Sequence, residues 1–138
     1  KGLNMSKPVF EDIFTFSGRR NRKSYFFFGL AVMFVIIALG VLMMAAIPGE
    51  AFMSGRYGPM NYNFDTMNPA MFLLAGLIGI PVAIAGWAVG AQRCRDFGWT
   101  GWAVLITVIP YIGFIFALVM LFIPGTQGEN RYGPDPLE

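Results

Sequence analysis

The sequence predicts an all-α integral membrane protein with three transmembrane helices, the third kinked near Pro110, and a short amphipathic interfacial helix ahead of them. Three observations carry this reading. First, the stretches Tyr25 to Ile47, Ala70 to Ala91 and Trp102 to Ile123 contain no Asp, Glu, Lys or Arg. Each has the roughly 20 residues that cross a ~30 Å hydrocarbon core at ~1.5 Å per residue. Second, 56% of the chain is hydrophobic and 13% charged, against about 25% charged in ordinary soluble domains. That leaves too little polar surface for a water-soluble globule. Third, the basic residues are unevenly distributed. Lys1, Lys7, Arg19, Arg20, Arg22 and Lys23 precede the first span, Arg93 and Arg95 lie between the second and third, and only Arg56 and Arg131 fall elsewhere. Short loops rich in Lys and Arg are retained on the cytoplasmic side, so the N-terminus is expected inside and the tail outside.

The chain reads as a single domain in three parts: a cytoplasmic arm (1–24) with an amphipathic helix and a basic cluster, a membrane domain (25–123), and a Gly/Pro-rich tail (124–138). In the arm, Val9, Phe10, Ile13, Phe14 and Phe16 recur on one helical face, with Ser6 as N-cap, Pro8 in the first turn, and Glu11 and Asp12 facing away. This helix is expected to lie at the headgroup boundary and lead into span one. That span is too long, and too far behind a polar arm, for a secretory signal, so it is read as a retained anchor. Met5 is a plausible native start, with Lys1 to Asn4 upstream.

Span two carries small residues at helical spacing, Ala75, Gly79 and Ala83, then Gly86 and Gly90. Such stripes let helix backbones approach closely in lipid, so this face is expected to meet another span or a second copy of the chain. Pro110 and Gly113 fall near the middle of span three. Neighbouring helices re-satisfy backbone groups freed by proline in membrane helices, which favours one kinked span over a half-depth hairpin that would return the tail to the cytoplasm. Tyr25, Trp99 and Trp102 mark span entries as interfacial anchors, and Gly98 and Gly101 suit the tight return between spans two and three.

Chemistry is narrowed by what the chain contains. With no histidine and one cysteine, Cys94, no intrachain disulfide, histidine-based metal site or Ser/His nucleophile can be built. No catalytic residue, metal or cofactor is assigned. Met53, Met60 and Met67 in the loop between spans one and two could bind Cu(I), but apolar contact is the simpler role.

Three polar clusters remain: Phe16-Ser17-Gly18-Arg19-Arg20-Asn21-Arg22-Lys23-Ser24-Tyr25, Gln92-Arg93-Cys94-Arg95-Asp96-Phe97-Gly98-Trp99-Thr100-Gly101-Trp102, and Pro124-Gly125-Thr126-Gln127-Gly128-Glu129-Asn130-Arg131-Tyr132-Gly133-Pro134-Asp135-Pro136. In this order around three spans, the chain resembles the bacterial inner-membrane family catalogued as domain of unknown function 805. The resemblance covers nearly the whole chain and implies an inner-membrane location. Where the family usually has Arg-Arg-Leu-His-Asp, this chain has Gln92 to Asp96. A role for the family's histidine does not carry over, because Arg95 cannot exchange a proton near neutral pH.

Asp96 is expected to accept hydrogen bonds from Arg19, Arg20 or Arg22, with Arg20 as its ion-pair partner. The competing role for Arg19, Arg20, Arg22, Lys23, Arg93 and Arg95 is an anionic lipid or phosphate site, since basic residues at a charged leaflet contribute ~1 kcal/mol each. Asn130, Arg131, Tyr132 and Asp135 are expected to form an ordered cap. The chain is therefore expected to be a small non-enzymatic accessory, scaffold or regulatory partner of a larger membrane complex, or a lipid-binding protein. Expected partners are anionic lipids, a membrane protein or a second copy, and not nucleic acid. The alternative is a small oligomeric channel or transporter, disfavoured because few polar residues, chiefly Gln92, Thr107 and Tyr111, are available to line a path.

Overall fold

The structure, a computed structural model, describes residues 7–47 and 68–137. Ser6 and the methionines at 53, 60 and 67 lie outside the described residues. Within these, the fold is helical: α1 (Arg22–Ala45), α2 (Pro69–Asp96), a 3-10 helix η1 (Gly101–Val108) and α3 (Ile112–Phe122). Helices α1 and α2 are each long and apolar enough to cross a membrane.

The helix ends follow from their residues. At the start of α2 the Asn68 side-chain oxygen accepts from the Ala70 amide at 3.0 Å, with Pro69 in the first position, where its missing N–H costs nothing. At its end Gly98 adopts φ +88°, its amide reaching the Arg95 carbonyl while the Trp99 amide reaches that of Cys94. This pair of bonds closes a helix through a left-handed residue that glycine adopts without strain. Helix α1 stops just ahead of Pro48, in accord with the exclusion of helical conformation before proline.

The chain divides into two compact units, Lys1–Val32 with Val82–Glu138, and Met33–Pro81. In the first, Ala91, Cys94, Val104, Phe116 and Met120 form one buried cluster, and Phe28, Ala85 and Val89 form a second, onto which Val9 and Ile13 pack. In the second, none of the described residues is buried.

Two expectations are corrected. The arm is not a helix: residues 9–14 form successive turns, with Asp12 at φ +53°. Val9 and Ile13 turn inward, whereas Phe10, Phe14 and Phe16 remain exposed. Arg20 donates to the carbonyls of Pro8, Val9 and Glu11, sharing that of Pro8 with the Glu11 amide of its own turn.

The third apolar segment is not one helix. η1 and α3 pack on each other across a reversal at Ile109–Tyr111, where Tyr111 has φ +63°. A Cβ on Gly113 would fall 2.2 Å from the Thr107 carbonyl oxygen, so only glycine allows this approach. The turn satisfies its own amides, with Gly113 N bonded to Ile109 O at 2.6 Å and Ile115 N to Tyr111 O at 3.1 Å. Such internal pairing is required of irregular backbone in an apolar surrounding. At ~2.0 Å per residue for a 3-10 helix and ~1.5 Å for an α-helix, each arm is about 16 Å long, near half the hydrocarbon thickness.

Within the single chain the small residues of α2 divide between close contact and open surface. Gly90 makes a close approach, an added Cβ lying 2.5 Å from Val104 Cγ2, whereas Gly79 and Gly86 face open space. The buried small residues of α2 are Ala85, Ala88, Gly90 and Ala91, rather than Ala75 or Ala83.

Candidate functional site: a buried arginine clamp

The first unit gathers Arg19, Arg20, Asn21, Ser24, Gln92, Arg93 and Asp96, all buried. Charged groups taken from water need partners, and here the partners are largely main-chain carbonyls. α1 supplies Ser24 from its first turn, α2 supplies Gln92, Arg93 and Asp96 from its last, and the extended segment ahead of α1 supplies Arg19 and Arg20.

Arg20 is fully buried and organises the arm. Its Nε donates to Gln92 Oε1 at 3.0 Å. Nη1 donates to the Val9 carbonyl at 2.9 Å and to Ser24 Oγ at 2.6 Å, and Nη2 donates to the Glu11 carbonyl. The Gln92 amide continues the contact, donating to the carbonyls of Asp12 at 2.7 Å and Thr15 at 2.5 Å. Burial lowers the proton affinity of Arg20 from its ordinary value, opposed by the charges of Asp12 and Glu11. The group stays cationic, as arginine does in proteins.

Arg93 closes the hairpin. Its Nε donates to the Met120 carbonyl at 2.8 Å and its Nη2 to that of Ile123, at the C-terminal end of α3, where a cation meets the negative end of the helix dipole. Arg93 Nη1 also reaches Asp96 Oδ2.

Arg19 holds the tail. It pairs with Asp96 Oδ1 at 3.1 Å and donates to the carbonyls of Thr126 at 2.5 Å, Gly128 at 2.7 Å and Gly133 at 3.2 Å. The Thr126 amide donates to the Asp96 carbonyl at 2.6 Å. Gly125 lies so close to the carboxylate that an added Cβ would sit 2.2 Å from Asp96 Oδ2.

The tail then folds on itself. The Asn130 side chain donates to the Arg95 carbonyl at 2.9 Å, Asp135 accepts from the Gly128 amide at 2.9 Å, and Arg131 lies over the Tyr132 ring at 4.7 Å.

The ion pair therefore differs from the expected one. Asp96 pairs with Arg19 and Arg93, while Arg20 lies on Gln92. The donors of Arg19, Arg20 and Arg93 are turned inward, leaving Arg22, Lys23 and part of Arg95 at the surface. Sequence reading missed the pivotal part of Gln92, whose signal was a lone amide at the end of an apolar run. Of the expected anchors, Trp102 is 76% exposed, while Trp99 stacks on Phe116 and Tyr25 packs beside both buried clusters.

The clamp also joins the two ends of the described chain, because Arg19 ahead of α1 bonds directly to carbonyls beyond α3.

An Arg20→Gln variant is expected to release the arm. Amide exchange at Glu11 and Thr15, whose N–H groups bond within the arm turns, should rise at least tenfold, with ~1–3 kcal/mol lost through stranded buried acceptors. Unchanged protection over residues 8–15 would show that Arg20 does not hold the arm.

A family model described as protein of unknown function (DUF805) matches residues 13–134. Inner membrane protein YhaH of Escherichia coli K12 is 32% identical over 128 residues, covering 93% of this chain and 92% of its own length. Inner membrane protein YhaI of the same organism is 30% identical, covering 93% and 91%. No solved structure matches significantly.

Proposed function

The chain belongs to the DUF805 family, and from that premise we propose that it is a small, non-enzymatic protein of the bacterial inner membrane, an accessory or scaffold for a larger membrane complex. The observation that carries this reading is a contrast between the two units. The clamp's ionised groups are occupied by the protein's own backbone, which leaves no free acid, base or nucleophile there for turnover. The Met33–Pro81 unit, in contrast, has no buried residue among those described, although its helices are apolar. Within a bilayer such faces are free for lipid or for a second helix, and small residues such as Gly76 and Gly79, with nothing within 4 Å, permit close approach. We further assign the arm and tail to the cytoplasm. With both on one side, nine of the ten basic residues flank that side and only Arg56 flanks the other, the distribution that retains a loop inside.

The test is native mass spectrometry of the full chain gently extracted from its own membrane. A membrane protein bound in fixed stoichiometry is the expected result. A closed homo-oligomer without partners, conducting ions or solutes when reconstituted, would replace the accessory reading with a channel. A monomer carrying only lipid would also overturn it.

A further inference from the structure

Arg95 stands apart from the clamp. It is only partly buried, and its guanidinium lies against the start of η1, so that an added Cβ on Gly101 would fall 2.4 Å from Nη2. Its backbone is held in place, the carbonyl accepting from Asn130 at 2.9 Å. Yet Arg95 Nη1 is shut off from solvent and has no hydrogen-bond partner among the described residues. The carboxylate nearest in sequence, Asp96, is occupied by Arg19 and Arg93. A buried donor without an acceptor is costly, and beside three arginines each of whose guanidinium nitrogens is hydrogen-bonded it points to an acceptor supplied from outside.

Arg95 also lines a groove of about 390 Å³ whose other walls are apolar, among them Phe16, Trp87, Trp102, Val104 and Leu105. That volume is within the range of small-ligand sites, which combine mostly apolar walls with a few placed polar groups. The groove lies at the end of α2, where a membrane helix meets the headgroup layer, and the exposed Trp102 at its rim is of the type found at that level.

We propose that this groove binds one anionic phospholipid, its phosphate on the Arg95 guanidinium and the upper part of an acyl chain along the aromatic wall. Charge complementarity selects the headgroup, because the guanidinium is a permanent cation whose N–H groups donate to phosphate oxygens. The apolar walls select an amphiphile over a free ion. The inference stands independently of the accessory reading, since it concerns a lipid held by the single chain.

The test is native mass spectrometry and thermal denaturation of the full chain in detergent, with phosphatidylglycerol, phosphatidylcholine or inorganic phosphate added as probes. The wild type is expected to retain one phosphatidylglycerol and to melt at higher temperature with it. Phosphatidylcholine should bind at least tenfold more weakly, and 10 mM inorganic phosphate should not displace the lipid.

Arg95→Gln should reduce retention at least tenfold while Lys23→Gln leaves it unchanged. Trp102→Ala, at a mostly exposed position that the fold tolerates, should weaken it several-fold and carries the test should Arg95→Gln fail to fold. Equal loss in Lys23→Gln would mean diffuse attraction to a basic belt and overturn the site. Undiminished retention in Arg95→Gln or in Trp102→Ala, or displacement by phosphate, would overturn it as well.

Discussion

Asp96→Asn is expected to cost ~3–5 kcal/mol, the range for removing one partner from a buried ion pair. Among the described residues, the carboxylate is the only anion bonded to two buried guanidinium groups, Arg19 at 3.1 Å and Arg93. An asparagine keeps the shape but leaves both cations facing a neutral amide, one half of which is itself a donor. The loss should also be specific. Arg19 positions the carbonyls of Thr126, Gly128 and Gly133, so the tail should lose amide-exchange protection ahead of the apolar helices. Thermal denaturation in detergent, followed with exchange mass spectrometry, reads both effects. A melting temperature within a degree or two of wild type would show that the two arginines are stabilised by the surrounding carbonyls alone. Reintroducing charge with Asp96→Glu should restore little, because Gly125 already lies against the carboxylate and leaves no room for another methylene.

Labelling from one side of the membrane should modify both ends of the described chain. Ser17 in the arm and Glu129 in the tail are exposed, and single cysteines placed at either should react with an impermeant maleimide in the same vesicle orientation. The native Cys94 is buried and should stay silent. The expected effect is all or none, because a residue bonded to both segments, as Arg19 is, cannot span a ~30 Å hydrocarbon core. Opposite labelling would require the reversal at Ile109–Tyr111 to open into a single span and the Arg19 contacts to break together.

Much of the molecule was legible in its residues, but unevenly. Helices α1 and α2 were readable because a long uncharged run has few alternatives once water is excluded. The C-terminal closure of α2 was likewise signalled by Gly98. The cluster at residues 92–96 stood out because four polar side chains at the end of an apolar segment require an explanation. The arm misled because Val9, Phe10, Ile13 and Phe14 do have helical spacing, and no local signal shows that a guanidinium eleven residues along the chain from Val9 will take the carbonyls a helix needs. The choice of partner for Asp96 was equally hidden, since Arg19 and Arg20 are adjacent in sequence yet point into different surroundings, one toward the tail and one toward Gln92.

By itself, then, the sequence determined a helical membrane protein with three apolar segments, no histidine chemistry and a polar end rich in arginine, because hydropathy and residue type depend only on composition along the chain. Tertiary structure alone decided that the third apolar segment folds back as a hairpin, that the arm is a set of turns, and that Asp96 joins Arg19 to Arg93. Two half-depth arms and one full span bury the same run of apolar residues, so hydropathy does not separate them. The outcome rests on contacts between distant positions: Gly113 against Thr107, Arg93 on the carbonyls of Met120 and Ile123, and Arg19 on the tail.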